Sequence, residues 1–159
     1  MDLRIENRIE RFKGKSALVT GGAAGIGWAT ACALAECGAD VAICSRAGPT
    51  LDNVGDKIAS SGFTNISAYQ ADVSSENDMH DLFAQIGDKF GQLNFLVNNA
   101  GIDSFCNMTK FSPANFRHVM DVNVTSIFLA ISEALPLMRN ATYASIVNVG
   151  SIHGHVTTS

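Results

Sequence analysis

The sequence predicts an α/β protein in which a doubly wound parallel sheet is covered by helices on both faces. Five short apolar segments alternate with segments of helical periodicity, and these segments are apolar on both faces, as in buried parallel strands. Polar and glycine residues gather just after the apolar segments. The carboxyl ends of parallel strands meet along one edge of a sheet, where such folds bind ligands. We therefore expect a single domain over the 159 residues, with residues 1–14 as a charged lead-in.

The predicted strands are short apolar runs that end at polar or glycine residues. They cover residues 15–20, 40–44, 66–71, 93–97 and 145–149.

The predicted helices repeat apolar residues every three or four positions between these strands. They cover residues 25–37, 51–62 and 75–90, followed by a long helix that begins at Ser112-Pro113. Ser74 or Ser75 supplies the cap of the third helix. On the first helix we expect one face to pack on the sheet, formed by Ile26, Ala33, Leu34 and Cys37.

Composition excludes several classes of function. Hydrophobic residues make up 47% and charged residues 16%, which indicates a compact globular protein rather than a disordered one. A net charge of -4 leaves no basic surface and argues against nucleic acid as a partner. No apolar run approaches the ~20 residues that span a bilayer, and the start lacks the apolar core of a signal peptide. We expect a cytoplasmic protein that is not membrane-bound.

The cysteines and histidines do not predict a metal site. The four cysteines show no metal-ligand spacing, and those in apolar segments are interpreted as small, reduced core residues. His153 and His155 form a His-x-His pair without an evident third ligand, so a loop lining a pocket is the preferred interpretation.

A glycine-rich stretch, Thr20 to Gly27, joins the first strand to the first helix. A tight turn at this point leaves backbone N–H groups at the positive end of the helix dipole, which suits a phosphate group. The predicted cofactor-binding residues here are Gly21, Ala23, Ala24, Gly25, Ile26 and Gly27. A purely structural turn is the alternative for this stretch taken by itself.

Ser45 and Arg46 follow the second strand, where dinucleotide-binding proteins contact the adenosine ribose. A carboxylate there would bind the 2′-hydroxyl of NAD, whereas an arginine suits the 2′-phosphate of NADP. Asp40 lies at the other end of that strand, so we predict NADP(H), with NAD(H) as the lesser choice. An ordinary solvated arginine is the alternative.

The chain resembles the short-chain dehydrogenase/reductase family. The glycine loop is similar to the family's T-G-x-x-x-G-x-G motif, and Asn98 to Gly101 to its N-N-A-G turn. Asp72, with Val73, resembles the family's adenine-contacting aspartate. Asn123 matches the asparagine of the family's proton relay, and Ser151 the serine that binds the substrate oxygen.

This resemblance implies a Rossmann-type sheet with strand order 3-2-1-4-5, and it implies roles for the matched residues. The glycine loop would hold the pyrophosphate and Arg46 the 2′-phosphate, while Asp72 and Asn98, with Val73, Ala100 and Gly101 beside them, would contact the rest of the cofactor. Family members commonly form homo-tetramers or homo-dimers through the long helix. From the residues alone, Asn123 would be interpreted as a helix asparagine bonded to nearby backbone, and Ser151 as a loop or cap serine.

The family's catalytic Tyr-x-x-x-Lys pattern is not found in these residues. Tyr69 and Tyr143 are the only tyrosines, and neither is followed by lysine four positions later. We therefore expect the cofactor-binding front part of a larger enzyme, incomplete at its C-terminal side, with an unpaired fifth strand. By itself this part should be unstable and inactive, and carbonyl reduction by the purified fragment would contradict that expectation.

The predicted activity is hydride transfer between a nicotinamide cofactor and a small alcohol or carbonyl compound, with Ser151 and Asn123 as the catalytic residues present. The rival hypothesis is a dinucleotide-binding module that does not turn over, favoured by the absent Tyr-x-x-x-Lys pattern. A methyl-transferring enzyme with a similar glycine loop would be expected to have an acidic residue after the second strand, and Ser45-Arg46 does not supply one.

Overall fold

The computed structural model describes residues 11–46, 53–103 and 108–151. Its five strands are parallel and lie in the order β3-β2-β1-β4-β5, which confirms the predicted sheet. The strands are β1 (Ser16–Thr20), β2 (Asp40–Ser45), β3 (Ile66–Gln70), β4 (Phe95–Asn98) and β5 (Ser145–Asn148).

The helices alternate with the strands as expected. They are α1 (Gly25–Glu36), α2 (Val54–Ser61), α3 (Glu76–Phe90), α4 (Pro113–Met120) and α5 (Ser126–Arg139), with a 3-10 turn over Met108–Lys110. Ser75 caps α3 by accepting the Asp78 N–H, and Ser112 caps α4 by accepting the Asn115 N–H. A π-helical turn, Asp121–Thr125, joins α4 to α5 in one 27-residue helix.

Two apolar layers sandwich the sheet. On one face, Ala17, Val19 and Ile43 pack with α1 and α2; on the other, Leu18, Ala42 and Leu96 pack with α3 and α5. All five residues of β1 are buried because this central strand is covered on both faces. This placement puts the carboxyl end of β1 in the middle of the ligand-binding edge.

The predicted packing face of α1 is right for Leu34, which packs against the core, and wrong for Ile26 and Ala33, which are exposed. The buried residues of this helix are Gly27, Ala31 and Ala35, whereas Ile26 is 68% exposed. Ala31 and Ala35 pack in the apolar layer with β1 and β2, and Gly27 lies against the Gly21 carbonyl, where a side chain would not fit. Among the cysteines, Cys44 is buried as expected, but Cys32 and Cys37 are only half-buried.

Apolar surface remains on two parts of this chain. Within the described residues β5 pairs with β4 alone, and Val147 of β5 is 51% exposed. The 27-residue helix, with a mean hydropathy of 1.3 over its most apolar part and 22% of that part buried, is long and apolar enough by length and composition to cross a membrane. One such helix is weak ground for a membrane assignment. Its exposed apolar stripe contains Phe116, Met120, Val124, Phe128 and Leu135.

Candidate active site at the carboxyl edge of the sheet

The glycine loop needs glycine for both its conformation and its space. Gly21 and Gly25 have φ values of +63° and +53°, which side-chain-bearing residues rarely adopt. A Cβ on Gly27 would lie 2.4 Å from the Gly21 carbonyl oxygen, and one on Gly22 would lie 2.6 Å from the Ile43 Cβ. The loop therefore has the close backbone approach that a dinucleotide-binding turn requires.

The first turn of α1 is open to an anion. Its N-cap residue, Ala24, is extended and makes no side-chain capping bond, and no acidic residue lies in the first turn. The first N–H groups of a helix have no partner within the helix and carry its positive dipole end. The backbone here thus fits the pyrophosphate of a dinucleotide.

Thr20 and Asn99 brace the glycine loop against the turn after β4. The Thr20 hydroxyl oxygen accepts the N–H groups of Asn99 and Ala100, each at 3.0 Å. The Asn99 side-chain amide donates to the carbonyls of Thr20, at 2.9 Å, and Gly21, at 3.3 Å. Sequence reasoning placed these residues in motifs but missed this bracing role, because it depends on the adjacency of β1 and β4.

Asn98 differs from its expected place on the adenosine side. Its side chain is 5% exposed, and its amide donates to Oδ1 of Asn148 at 2.8 Å, across the β4–β5 pair. Asn98 lines neither of the two clefts at this edge, whereas the following residues Ala100 and Gly101 line both.

A cleft of about 150 Å³ lies over the ends of β1, β2 and β3. It brings together many of the residues predicted to bind the cofactor: Gly21, Ser45, Arg46, Asp72, Val73, Ala100 and Gly101. Arg46 is exposed at its rim, and no carboxylate from the end of β2 enters it. The donor set fits an adenosine that carries an additional phosphate.

A hydrogen-bonded turn shapes the Asp72 side of this cleft. Oδ1 of Asp72 accepts the Ser74 N–H at 2.9 Å and the Ser74 hydroxyl at 2.6 Å. The Asp72 N–H donates to Oδ2 of Asp78 at 2.9 Å, and the Ser75 hydroxyl donates to Oδ1 of Asp78 at 2.8 Å. These two bonds lower the pKa of Asp78, the backbone bond from Asp72 being the larger cause.

A second cleft, of about 700 Å³, lies beside the first, toward β5. Ala100, Gly101 and Ile102 line both clefts, so the two cavities adjoin along the edge of the sheet. Asn123, Ser151 and Ile26 line the second cleft, which brings both predicted catalytic residues to one cavity. The exposed position of Ile26 on α1 is explained by this place beside the cavity.

Asn123 lies in the π-helical turn and binds a backbone segment far away in sequence. Its Oδ1 accepts the Ile102 N–H at 2.8 Å, and its amide donates to the Ile102 carbonyl at 2.9 Å. The interpretation from residues alone, an amide satisfied by backbone, describes this contact, although the partner is not a neighbour within the helix. A role in a proton relay stays a prediction.

Some predicted site residues take other places. In the glycine loop, Ala23 is buried and Ala24 is exposed. Neither cleft is lined by Ala23, Ala24, Gly25 or Gly27, which form the turn itself. His153 and His155 lie outside the described residues. Within residues 11–46, 53–103 and 108–151, no group of three or more metal-ligating side chains occurs.

Comparison with known proteins identifies relatives of this chain. The family model for short chain dehydrogenases matches residues 15–159. A rhamnolipid-biosynthesis 3-oxoacyl-[acyl-carrier-protein] reductase of Pseudomonas aeruginosa is 36% identical over 145 residues, which are 89% of this chain and 56% of that protein. A D-beta-hydroxybutyrate dehydrogenase of Rhizobium meliloti is 32% identical over 143 residues, 89% of this chain and 55% of that protein.

Solved structures agree with these sequence matches. The Pseudomonas aeruginosa RhlG/NADP active-site complex superposes with a TM-score of 0.85 at 33% identity, over 96% of this chain and 60% of that one. A variant of a Serratia marcescens short-chain dehydrogenase/reductase gives 0.82 at 30% identity, over 92% and 59%. The chain spans a little over half the length of these relatives. The chain belongs to the short-chain dehydrogenase family.

Proposed function

We propose that this chain is the cofactor-binding part of an NADP(H)-dependent oxidoreductase that acts on a small alcohol or carbonyl compound. The observation that supports the proposal most is the pair of clefts that adjoin at this edge of the sheet. They lie beside the uncapped helix start at the glycine loop, with an arginine at the adenosine end and an exposed serine and Asn123 at the other end. When bound, the nicotinamide ring would supply or accept the hydride.

The preference for NADP rests on the end of β2. Arg46 is the cation that this strand places at the cleft, and a guanidinium binds a phosphate monoester through paired charge-assisted bonds. The RhlG relative is described as an NADP complex, which is consistent with this choice.

Ser151 is proposed to orient the substrate oxygen. It is exposed just beyond β5 and lines the larger cleft together with Gly101 and Asn123. A hydroxyl donor at this place would stabilise negative charge that develops on a carbonyl oxygen. Asn123 would hold Ile102 at the wall of the same cleft and serve proton transfer there.

Cofactor binding by the purified protein tests the cofactor assignment. We expect NADP to bind more tightly than NAD, and Arg46→Leu to weaken NADP about tenfold or more while leaving NAD unchanged. Arg139→Leu, at the exposed end of α5, is the matched control. Equal binding of the two cofactors by the unaltered protein would overturn the NADP assignment.

Turnover separates an enzyme from a binding module. We expect the full-length protein, with a Tyr-x-x-x-Lys segment in place, to consume NADPH in the presence of simple ketones, and Ser151→Ala to lower its kcat about a hundredfold. Cofactor binding without turnover, for the protein in its full length, would favour the module. That alternative has one observation in its favour: both side-chain amide atoms of Asn123 are engaged with Ile102.

The apolar stripe on the 27-residue helix is proposed to pair with a second copy of the chain. Phe116, Val124 and Phe128 are 55%, 53% and 68% exposed, and a stripe of such residues on a helix is typical of a protein interface. A homo-dimer or homo-tetramer in the cytoplasm is the form we expect.

A further inference from the structure

Lys57 of α2 reaches across to the glycine loop. Its Nζ donates to the Ala23 carbonyl at 3.1 Å, although the two residues are 34 positions apart. The same ammonium lies over the indole of Trp28 in α1, 4.3 Å from the ring centroid. Within the described residues, no carboxylate forms an ion pair with Lys57. A partly buried cation is therefore held at the loop by a carbonyl and an aromatic face.

A backbone contact joins the loop beside this ammonium to the end of β2. The Gly22 N–H donates to the Cys44 carbonyl at 3.2 Å, so the loop residue before Ala23 is joined to β2 two positions before Arg46. Ala24 presents only a methyl group at the exposed loop surface. The glycine loop has no cation of its own, and Lys57 supplies one from another helix.

We propose that Lys57 is a specificity-determining residue for the 2′-phosphate of NADP, acting together with Arg46. This inference rests on the proposed NADP(H) dependence of the protein. A phosphate monoester carries close to two negative charges near neutral pH, which two cations neutralise better than one. The ammonium has three N–H donors; the Ala23 carbonyl takes one and the Trp28 indole faces another side of the group, which leaves one for a phosphate oxygen.

A merely structural role for Lys57, fastening α2 to the glycine loop, makes a different prediction. Loss of a fastening would loosen the pyrophosphate site and weaken NADP and NAD alike. Loss of a phosphate ligand would weaken only those ligands that carry the 2′-phosphate. The ratio of the two affinities therefore distinguishes the two roles.

The experiment measures binding of four ligands to the purified protein by calorimetry: NADP, NAD, adenosine 2′,5′-bisphosphate and AMP. Trp28 is the only tryptophan of the chain, so its fluorescence gives a second readout beside the ammonium. The test variant is Lys57→Met, which keeps the apolar stem on the indole and removes the charge. Lys89→Met on α3, whose Nζ lies 5.6 Å from the Phe90 ring, is the matched control.

We expect Lys57→Met to weaken NADP and adenosine 2′,5′-bisphosphate about tenfold, and to leave NAD and AMP within about twofold. Lys57→Arg should restore most of the loss, and the phosphate-bearing ligands should alter the Trp28 emission more than AMP does. Should Lys57→Met lower the thermal unfolding temperature strongly, Lys57→Gln gives the same comparison of ligands.

Two results overturn the inference for Lys57 alone: a parallel loss for all four ligands, or unchanged NADP binding in a protein that prefers NADP. If the unaltered protein binds NADP and NAD equally, the proposed cofactor preference fails first. Binding of NADP and NAD to the unaltered protein therefore distinguishes failure of the cofactor preference from failure of the role proposed for Lys57.

Discussion

At the scale of single residues, the glycine loop is held in place by contacts that tolerate no added atom at Gly27. A Cβ there would lie 2.4 Å from the Gly21 carbonyl oxygen and 2.5 Å from the Asn99 side-chain nitrogen. Neither neighbour can retreat easily, because the Asn99 amide is bonded to Thr20 and Gly21. The absence of a side chain at Gly27 therefore allows both the shape of the glycine loop and the hydrogen bonds that Asn99 makes to it.

Gly27→Ala should destabilise the fold by about 1–3 kcal/mol through overpacking, and weaken dinucleotide binding through displacement of the loop. Gly55→Ala on α2, where a Cβ meets nothing within 4 Å, is the control and should be neutral or stabilising. Urea unfolding and cofactor titration measure both effects. Equal stability of the two variants would show that the loop adapts to the added methyl group.

Asp78 gives this region a dependence on acid pH. Its folded-state pKa is lowered by bonds from the Asp72 N–H and the Ser75 hydroxyl, so its contribution to stability is full above the ordinary value of 3.8. That contribution is lost as the pH falls through the lower folded pKa. Asp78→Asn should therefore be less stable than the unaltered protein near neutral pH.

Thermal unfolding between about pH 5 and pH 2 measures the effect. We expect the difference between Asp78→Asn and the unaltered protein to shrink toward the acid end. Asp81→Asn, an equal change of charge at an exposed position of α3, should shift the melting temperature little. A constant gap at every pH would contradict the assignment to Asp78.

At the scale of elements, the π-helical turn Asp121–Thr125 connects the long helix to the two clefts at the edge of the sheet. The Asn123 side chain within this turn makes both bonds to the backbone of Ile102, a residue that lines both clefts. Short π-helical turns within α-helices are frequent at functional sites.

Asn123→Ala should cost about 1–3 kcal/mol, because it removes two hydrogen bonds and leaves two backbone groups without them. Hydrogen exchange should show faster exchange at the Ile102 amide in this variant. Asn77→Ala, at an exposed position of α3, is the control. An unchanged Ile102 amide would mean that the segment is held by other contacts.

Most of the elements could be predicted because each leaves a local pattern in the sequence. The apolar runs of β1 and β2 and the glycines after α2 and α3 are examples. The face of α1 could not, since Gly27, Ala31 and Ala35 are too small to stand out against Ile26 and Leu34. The contact of Lys57 with Ala23 had no local pattern either, because a lysine on an amphipathic helix usually indicates a solvated face.

At the scale of the whole molecule, apolar surface is concentrated on the side of the sheet that carries the long helix. Phe128, at 68%, is among the most exposed large apolar residues described, and it lies on a helix whose opposite side contacts α3 and the sheet. Contact between copies of the chain would remove this stripe from water.

Phe128→Glu should convert an oligomer into smaller species and raise the protein concentration needed for association. Light scattering after size-exclusion chromatography measures the mass. Ala59→Glu on α2, on the other face of the sheet, introduces the same charge at an exposed position and should leave the mass unchanged. An unchanged mass for Phe128→Glu would assign the interface to another surface.

The shared wall of the two clefts has a thermodynamic consequence. Ala100, Gly101 and Ile102 border both cavities, and Thr20, Asn99 and Asn123 hold this wall from either side. We expect a fragment bound at the adenosine end to restrict the motion of this wall and so to lower the entropy cost of filling the other end. AMP and nicotinamide mononucleotide, supplied as separate molecules, would then bind with positive cooperativity, each increasing the affinity for the other by the same factor.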